Sequence, residues 1–132
     1  MELLEVSTEV EPMGPAMRRM WDVFERMGRS RGLDTLGHVY RAMERYLAQA
    51  GAVAVEVHTL QAPIGAWAGQ PGTWMAIDFR SLMTRLAPAL DAYGLPEAEC
   101  HELTATMMVQ FEELHPSLET KVVFGRRPER TY

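Results

Sequence analysis

Gly51-Ala52-Val53-Ala54-Val55-Glu56-Val57 lies midway along the chain, and the rest is read outward from it. Val53, Val55 and Val57 alternate with Ala54, Glu56 and His58, the period of a half-buried strand. Gly51 ahead of them is the residue expected just past a helix end. Upstream, Leu36, Val39, Tyr40, Met43 and Leu47 fall on one helical face, with Asp34 or Thr35 as the cap. Before that, Met17, Met20, Trp21, Phe24 and Met27 mark a helix that starts near Met13 and ends at Gly28 or Gly32. Met1–Val6 is short and apolar and reads as an opening strand, and polar Ser7 to Pro12 reads as loop.

Downstream the rhythm repeats. Pro63, Gly65, Gly69, Pro71 and Gly72 predict a loop. Met75, Phe79, Leu82, Met83, Leu86 and Leu90 predict a third helix, kinked or stopped near Pro88. Gly94-Leu95-Pro96-Glu97 restarts a fourth, with Leu103, Met107, Phe111 and Leu114 inward and Glu97 and Glu99 at its positive dipole end. Thr120–Phe124 is the closing strand, and Arg126 to Tyr132 is expected to fray. The reading is therefore α/β: three strands with helices on both faces of the sheet, about four helices in all, within one domain spanning residues 1–132.

Composition sets the outer limits. The chain has 132 residues, 47% hydrophobic and 23% charged, so one core is within reach. Its net charge of -5 argues against a nucleic-acid partner. No apolar run is long enough for a bilayer and no leader precedes the first helix, so no membrane is expected. The single Cys100 excludes an internal disulfide and points to a reducing, cytoplasmic setting.

Chemistry-bearing residues are scattered. His38, His58, His101 and His115 fall on separate elements without ligand spacing, so no metal site is expected. Cys100 and His101 are adjacent on a helix and point about 100° apart, which disfavours a thiol–base pair. Arg18, Arg19, Arg26, Arg29 and Arg31 make the first helix basic; a solvated face partly paired with Asp22 and Glu25 is preferred over an anion site. Methionines at helical core spacing read as packing, although methionine also suits adaptable apolar pockets.

Several segments, in order, carry a resemblance. They are the opening Glu2-Leu3-Leu4-Glu5, a helical insert with Trp21, Arg31-Gly32-Leu33-Asp34, and Leu47-Ala48-Gln49-Ala50-Gly51. Val53 to Val57, Ala62-Pro63-Ile64-Gly65-Ala66-Trp67, and Val123-Phe124-Gly125-Arg126-Arg127-Pro128 complete the set. Over nearly its whole length the chain resembles the C-terminal half of class I S-adenosylmethionine-dependent methyltransferases, in the small-molecule and secondary-metabolism branch. The resemblance implies a partial Rossmann-like sheet whose third strand runs antiparallel between the first two. It also implies that the glycine-rich loop and ribose-binding acid of the cofactor half lie outside this sequence, so this chain alone should bind no cofactor. Glu5, with Glu2, is the nearest substitute for the ribose acid, and edge-strand carboxylates are ordinarily just solvated.

The resemblance further implies a substrate pocket over the carboxyl ends of the strands, with Trp21, Phe24, Trp67, Trp74 and Met75 as its apolar lining. His38 is the nearest approach to a general base. The expected partners are an apolar small-molecule substrate and either a cofactor-binding half chain or a second copy in a homodimer. A truncated binding or scaffold protein, or a cofactor-free enzyme using the same pocket, are the alternatives.

Overall fold

The computed structural model describes residues 2–33 and 37–129. Their elements run β1 (Glu2–Glu11), α1 (Pro15–Ser30), α2 (His38–Gln49), β2 (Val53–Pro63), α3 (Gly69–Asp91), α4 (Glu97–Leu114) and β3 (Ser117–Arg126), with one 3-10 turn at Ala66–Ala68. The chain is mixed α/β, with an antiparallel sheet ordered β1-β3-β2. β1 and β2 each run antiparallel to β3, so they point the same way with β3 between them. That placement of the last strand agrees with the expected order. The caps expected at Asp34 and Thr35, and Leu36, lie outside the described residues, as does most of the tail expected to fray.

The sheet is longer than its apolar runs suggest. Residues Ser7 to Glu11, expected as loop, continue β1: Val10 pairs with Leu118 and Glu11 with Ser117. Between Val6 and Val10 the register shifts, and the Ser7 hydroxyl accepts a hydrogen bond from Glu9 N–H at 3.0 Å. A polar strand survives there because backbone pairing, not side-chain burial, holds it. β2 likewise runs through Pro63, and Arg126 belongs to β3.

α2 lies along one sheet face. Met43 and Leu47 pack on Val123, with Leu3, Ala52 and Val55 around them. Beside this apolar contact, Lys121 Nζ stands 4.5 Å from the Tyr40 ring centre and 3.4 Å from Glu44. Tyr40 donates to the Glu119 carboxylate. The opposite face is covered by the helical bundle at the end that holds Val10, Ala62 and Leu118, so helices lie on both faces as expected, while towards its other end Leu60 is 64% exposed and Phe124 38%. Elsewhere α1, α3 and α4 bury their apolar sides on one another. Met17, Met20, Met83 and Met107 are fully buried there, and Val10, Ile64 and Leu118 tie the bundle to the strand ends. Val53 and Val57, expected half-buried, are exposed, as are Val39, Leu82 and Leu114.

Helix limits shift for local reasons. Pro15 opens α1 behind Gly14, which abuts Gln110 and Leu114 of α4. Gln110 Oε1 accepts from Ala16 N–H at 3.2 Å. Gly28 does not end α1; the chain turns after Ser30, and Gly32 takes a φ of 73°. α3 starts six residues before Met75, at Gly69, so Pro71 and Gly72 fall inside it rather than in a loop. Pro88 does not stop it either, since the helix runs to Asp91.

Candidate functional site

The bundle and the sheet meet at the carboxyl ends of β1 and β2, and two clefts open there. The first, of about 380 Å³, lies between the end of β1 and α1. Glu9, Val10 and Glu11 form one wall, Arg18, Trp21 and Glu25 the other, and Met13 closes the corner. Arg18, Trp21 and Glu25 are spaced three and four apart, so a single stripe of α1 supplies that wall. The second cleft, about 290 Å³, lies on the α2 side, lined by Ser7, Glu9, Glu11, Tyr40, Gln61, Ser117 and Glu119. Glu9 and Glu11 belong to both. Both volumes are of small-molecule size.

Carboxylates dominate this region. Glu119 takes the Tyr40 hydroxyl and, through its other oxygen, Gln61 Nε2 at 3.3 Å; Gln61 Oε1 in turn accepts from Ser117 at 3.2 Å. Burial raises the Tyr40 phenol above its ordinary value near 10, assisted by the hydrogen bond to Glu119 and by the charges of Glu119, Glu44 and Glu9. The phenol is therefore a firmly protonated donor, not a base. Trp21 differs from its surroundings. It is 8% exposed, with Phe24 at 4.9 Å and Phe79 at 6.4 Å between ring centres. Its buried indole N–H has no acceptor. An unpaired buried donor costs about 1–3 kcal/mol.

Of the expected lining residues, Trp21 borders a cleft and Phe24 packs beside it. Met75 packs partly buried against the helical core. Trp67 is held elsewhere: its indole donates to Ile64 O at 2.7 Å and its ring stacks 4.6 Å from His115. Trp74 is 59% exposed on α3. His38, at the start of α2, is exposed and is not among the lining residues of either cleft. Sequence reasoning missed Glu9, Glu11, Arg18, Glu25, Tyr40 and Glu119. The signal was present in Glu9-Val10-Glu11, where period-two alternation puts both carboxylates on the face opposite Val10, once the stretch is read as strand.

Cofactor-holding features can be tested against this geometry. A nucleotide loop needs open space above its glycines. Here, a Cβ at Gly65 would meet the Trp67 ring and Glu112, and one at Gly72 would meet the Gly65 carbonyl. Gly65 and Gly72 are therefore close-packing positions. Glu5 sits in mid-strand, paired in register with Lys121 of β3. Among the described residues no three His, Cys, Asp or Glu side chains converge as metal ligands, and no helix is long and apolar enough to cross a membrane. No protein-family model matches the chain, and no curated protein or solved structure matches it.

Proposed function

We propose that this chain is the substrate-side half of a small-molecule S-adenosylmethionine-dependent methyltransferase. The cofactor-binding half would come from another polypeptide or another part of the same gene product. The observation that carries the reading is the strand order: two strands pointing the same way with a final antiparallel strand between them. A three-helix cap beside their carboxyl ends, where open α/β sheets bind ligands, supports it. In this reading the chain binds and orients the methyl acceptor and keeps water from it. Its contribution to rate is position, because in-line transfer depends mainly on holding the reacting atoms close and aligned.

Calorimetric titration tests the reading. S-adenosylmethionine added to the purified chain alone should give no low-micromolar binding. Added to the chain with a cofactor-half polypeptide, such as one encoded beside it, it should bind at that level and support methyl transfer. Tight binding by the chain alone would show the site to be misplaced. No binding and no transfer by the reconstituted pair would end the methyltransferase reading.

A further inference from the structure

β2 is the second edge of the sheet, paired to β3 alone among the described residues. Glu56 to Gln61 are exposed in unbroken succession, so both faces of the strand are open along that stretch. Just past its end, Ile64 N–H donates to Pro116 O, at the head of β3, at 2.9 Å. Successive strand residues direct their backbone groups to opposite sides. The N–H and C=O of His58, Leu60 and Ala62 therefore turn towards β3, and those of Val57, Thr59 and Gln61 turn outward. The outward row has two limits. Pro63 has no N–H to offer, and the register shift between Val53 and Glu56 interrupts the regular strand at the other end. What lies between is symmetric about Thr59.

That symmetry fits a second copy of the chain. A two-fold axis perpendicular to the sheet sets Thr59 against Thr59 of the other copy, and Val57 against Gln61 in both directions. Every outward donor and acceptor between the two limits then has a partner. Val57, Thr59 and Gln61 share the α2 face through their pairing with Val123, Lys121 and Glu119, and they are exposed, so α2 does not overhang the edge. On the opposite face His58 meets Leu60 of the other copy. The 64% exposed Leu60 thereby joins the contact of His58 with Phe124. No carboxylate opposes another, since Glu56 lies against Ala62. β1 fails the same test: self-pairing would gather Glu2, Glu5, Glu9 and Glu11 from both copies, with no cation on the strand.

We propose that β2 is a homotypic docking edge, through which two copies join antiparallel about Thr59 into one continuous sheet. The two-fold uses up the edge it pairs, so assembly through it stops at two. A strand pair this short is a small interface, and the dimer should form only at about 100 µM and above. The proposal goes beyond the methyltransferase reading and does not rest on it, because β1 stays free for a cofactor half.

Sedimentation equilibrium of the unaltered chain from about 10 µM to about 1 mM tests it, with amide exchange followed at both ends of the range. The chain should pass from monomer to dimer. The Val57, Thr59 and Gln61 amides should exchange several-fold more slowly at the upper end, while those of His58 and Leu60 stay unchanged. A mixture of His58→Cys and Leu60→Cys should form the mixed disulfide at about ten times the rate at which either variant links to itself, because directly opposed Cα atoms lie about 4.5 Å apart. Cys100 is buried and does not compete. Thr59→Pro removes only an outward N–H, so the fold should persist while the dimer weakens about tenfold or more. If that variant folds poorly, Thr59→Lys sets like charges together at the two-fold and should weaken the dimer likewise. A monomer at about 1 mM, assemblies larger than two, slowed β1 amides in place of those of β2, no excess of the mixed disulfide, or a dimer indifferent to both Thr59 variants would overturn the proposal.

Discussion

Tyr40 joins α2 to β3 at one point, and its ionisation sets a measurable limit on stability. Its ring lies under Lys121, its hydroxyl donates to Glu119, and Lys121 Nζ also reaches the Tyr40 carbonyl at 3.1 Å. Burial first, and the neighbouring carboxylates second, raise the phenol pKa in the folded chain. The folded state therefore keeps this proton to higher pH than the unfolded state does. The resulting stability is fully present below the unfolded value, about pH 10, and is lost as pH rises through the higher folded value. Tyr40→Phe removes the donor but keeps the ring. It should cost about 0.5–1.5 kcal/mol at neutral pH. The difference between the two proteins should then shrink above about pH 10. Urea midpoints of both proteins across that range measure it, and a constant difference would show that the phenol does not titrate differently on folding.

Elements in this chain begin and end where other elements hold them. The start of α3 is an example: Glu112 of α4 accepts from Ala66 N–H at 2.6 Å and Trp67 N–H at 3.0 Å, capping the turn that leads into the helix. Glu112→Ala should cost about 1–2 kcal/mol. It should also free Trp67 from its stack on His115, and tryptophan emission together with the thermal midpoint reports both. Unchanged emission would show that the stack, not the cap, positions the turn. Dependence of this kind explains which parts of the fold were legible in the sequence. Strand and helix existence followed from local periodicity: Met17, Met20 and Met27 face the core as their spacing requires, and so do Met43 and Leu47. Limits did not. Gly69 to Gly72 looks like loop because the carboxylate that holds the turn ahead of it lies more than forty positions away. Ser7 to Glu11 looks like loop because its strand pairing comes from Ser117 and Leu118. The site was hidden for the same reason: its carboxylates sit on the stretch misread as loop, whereas the tryptophans that stood out, Trp67 and Trp74, serve a turn and a surface.

Taken whole, the chain has two unequal cores, and the smaller one leaves part of the sheet open. The helical core buries Met17, Met20, Met83, Met107 and Phe111 among three helices. The sheet core rests on Met43, Leu47 and Val123 beneath one helix. That helix covers one face of the sheet, and the bundle covers the other only around Val10, Ala62 and Leu118. The rest of that second face exposes Leu60 and Phe124, with His58 edge-on to the Phe124 ring at 5.4 Å. β1 is at the same time an edge strand, paired to β3 alone in the described sheet. Such an edge invites a further strand, and neither proline nor lysine interrupts Glu2 to Glu11 to discourage one. An open edge beside a partly open apolar face would suit a strand added by another polypeptide, as the proposed cofactor half requires. Hydrogen exchange on the isolated chain should therefore alternate along β1: amides directed at β3 exchange slowly and the intervening ones quickly, because successive strand amides point to opposite sides. With a cofactor-half polypeptide bound, the fast set should slow to match the other. If the chain alone already protects both sets, sedimentation at low micromolar concentration identifies the cause: a dimer there gives the edge to a second copy of this chain, as in the homodimer alternative. A monomer with β1 protected on both sides would mean that the edge is already covered, and the expectation of a strand-adding partner would fail.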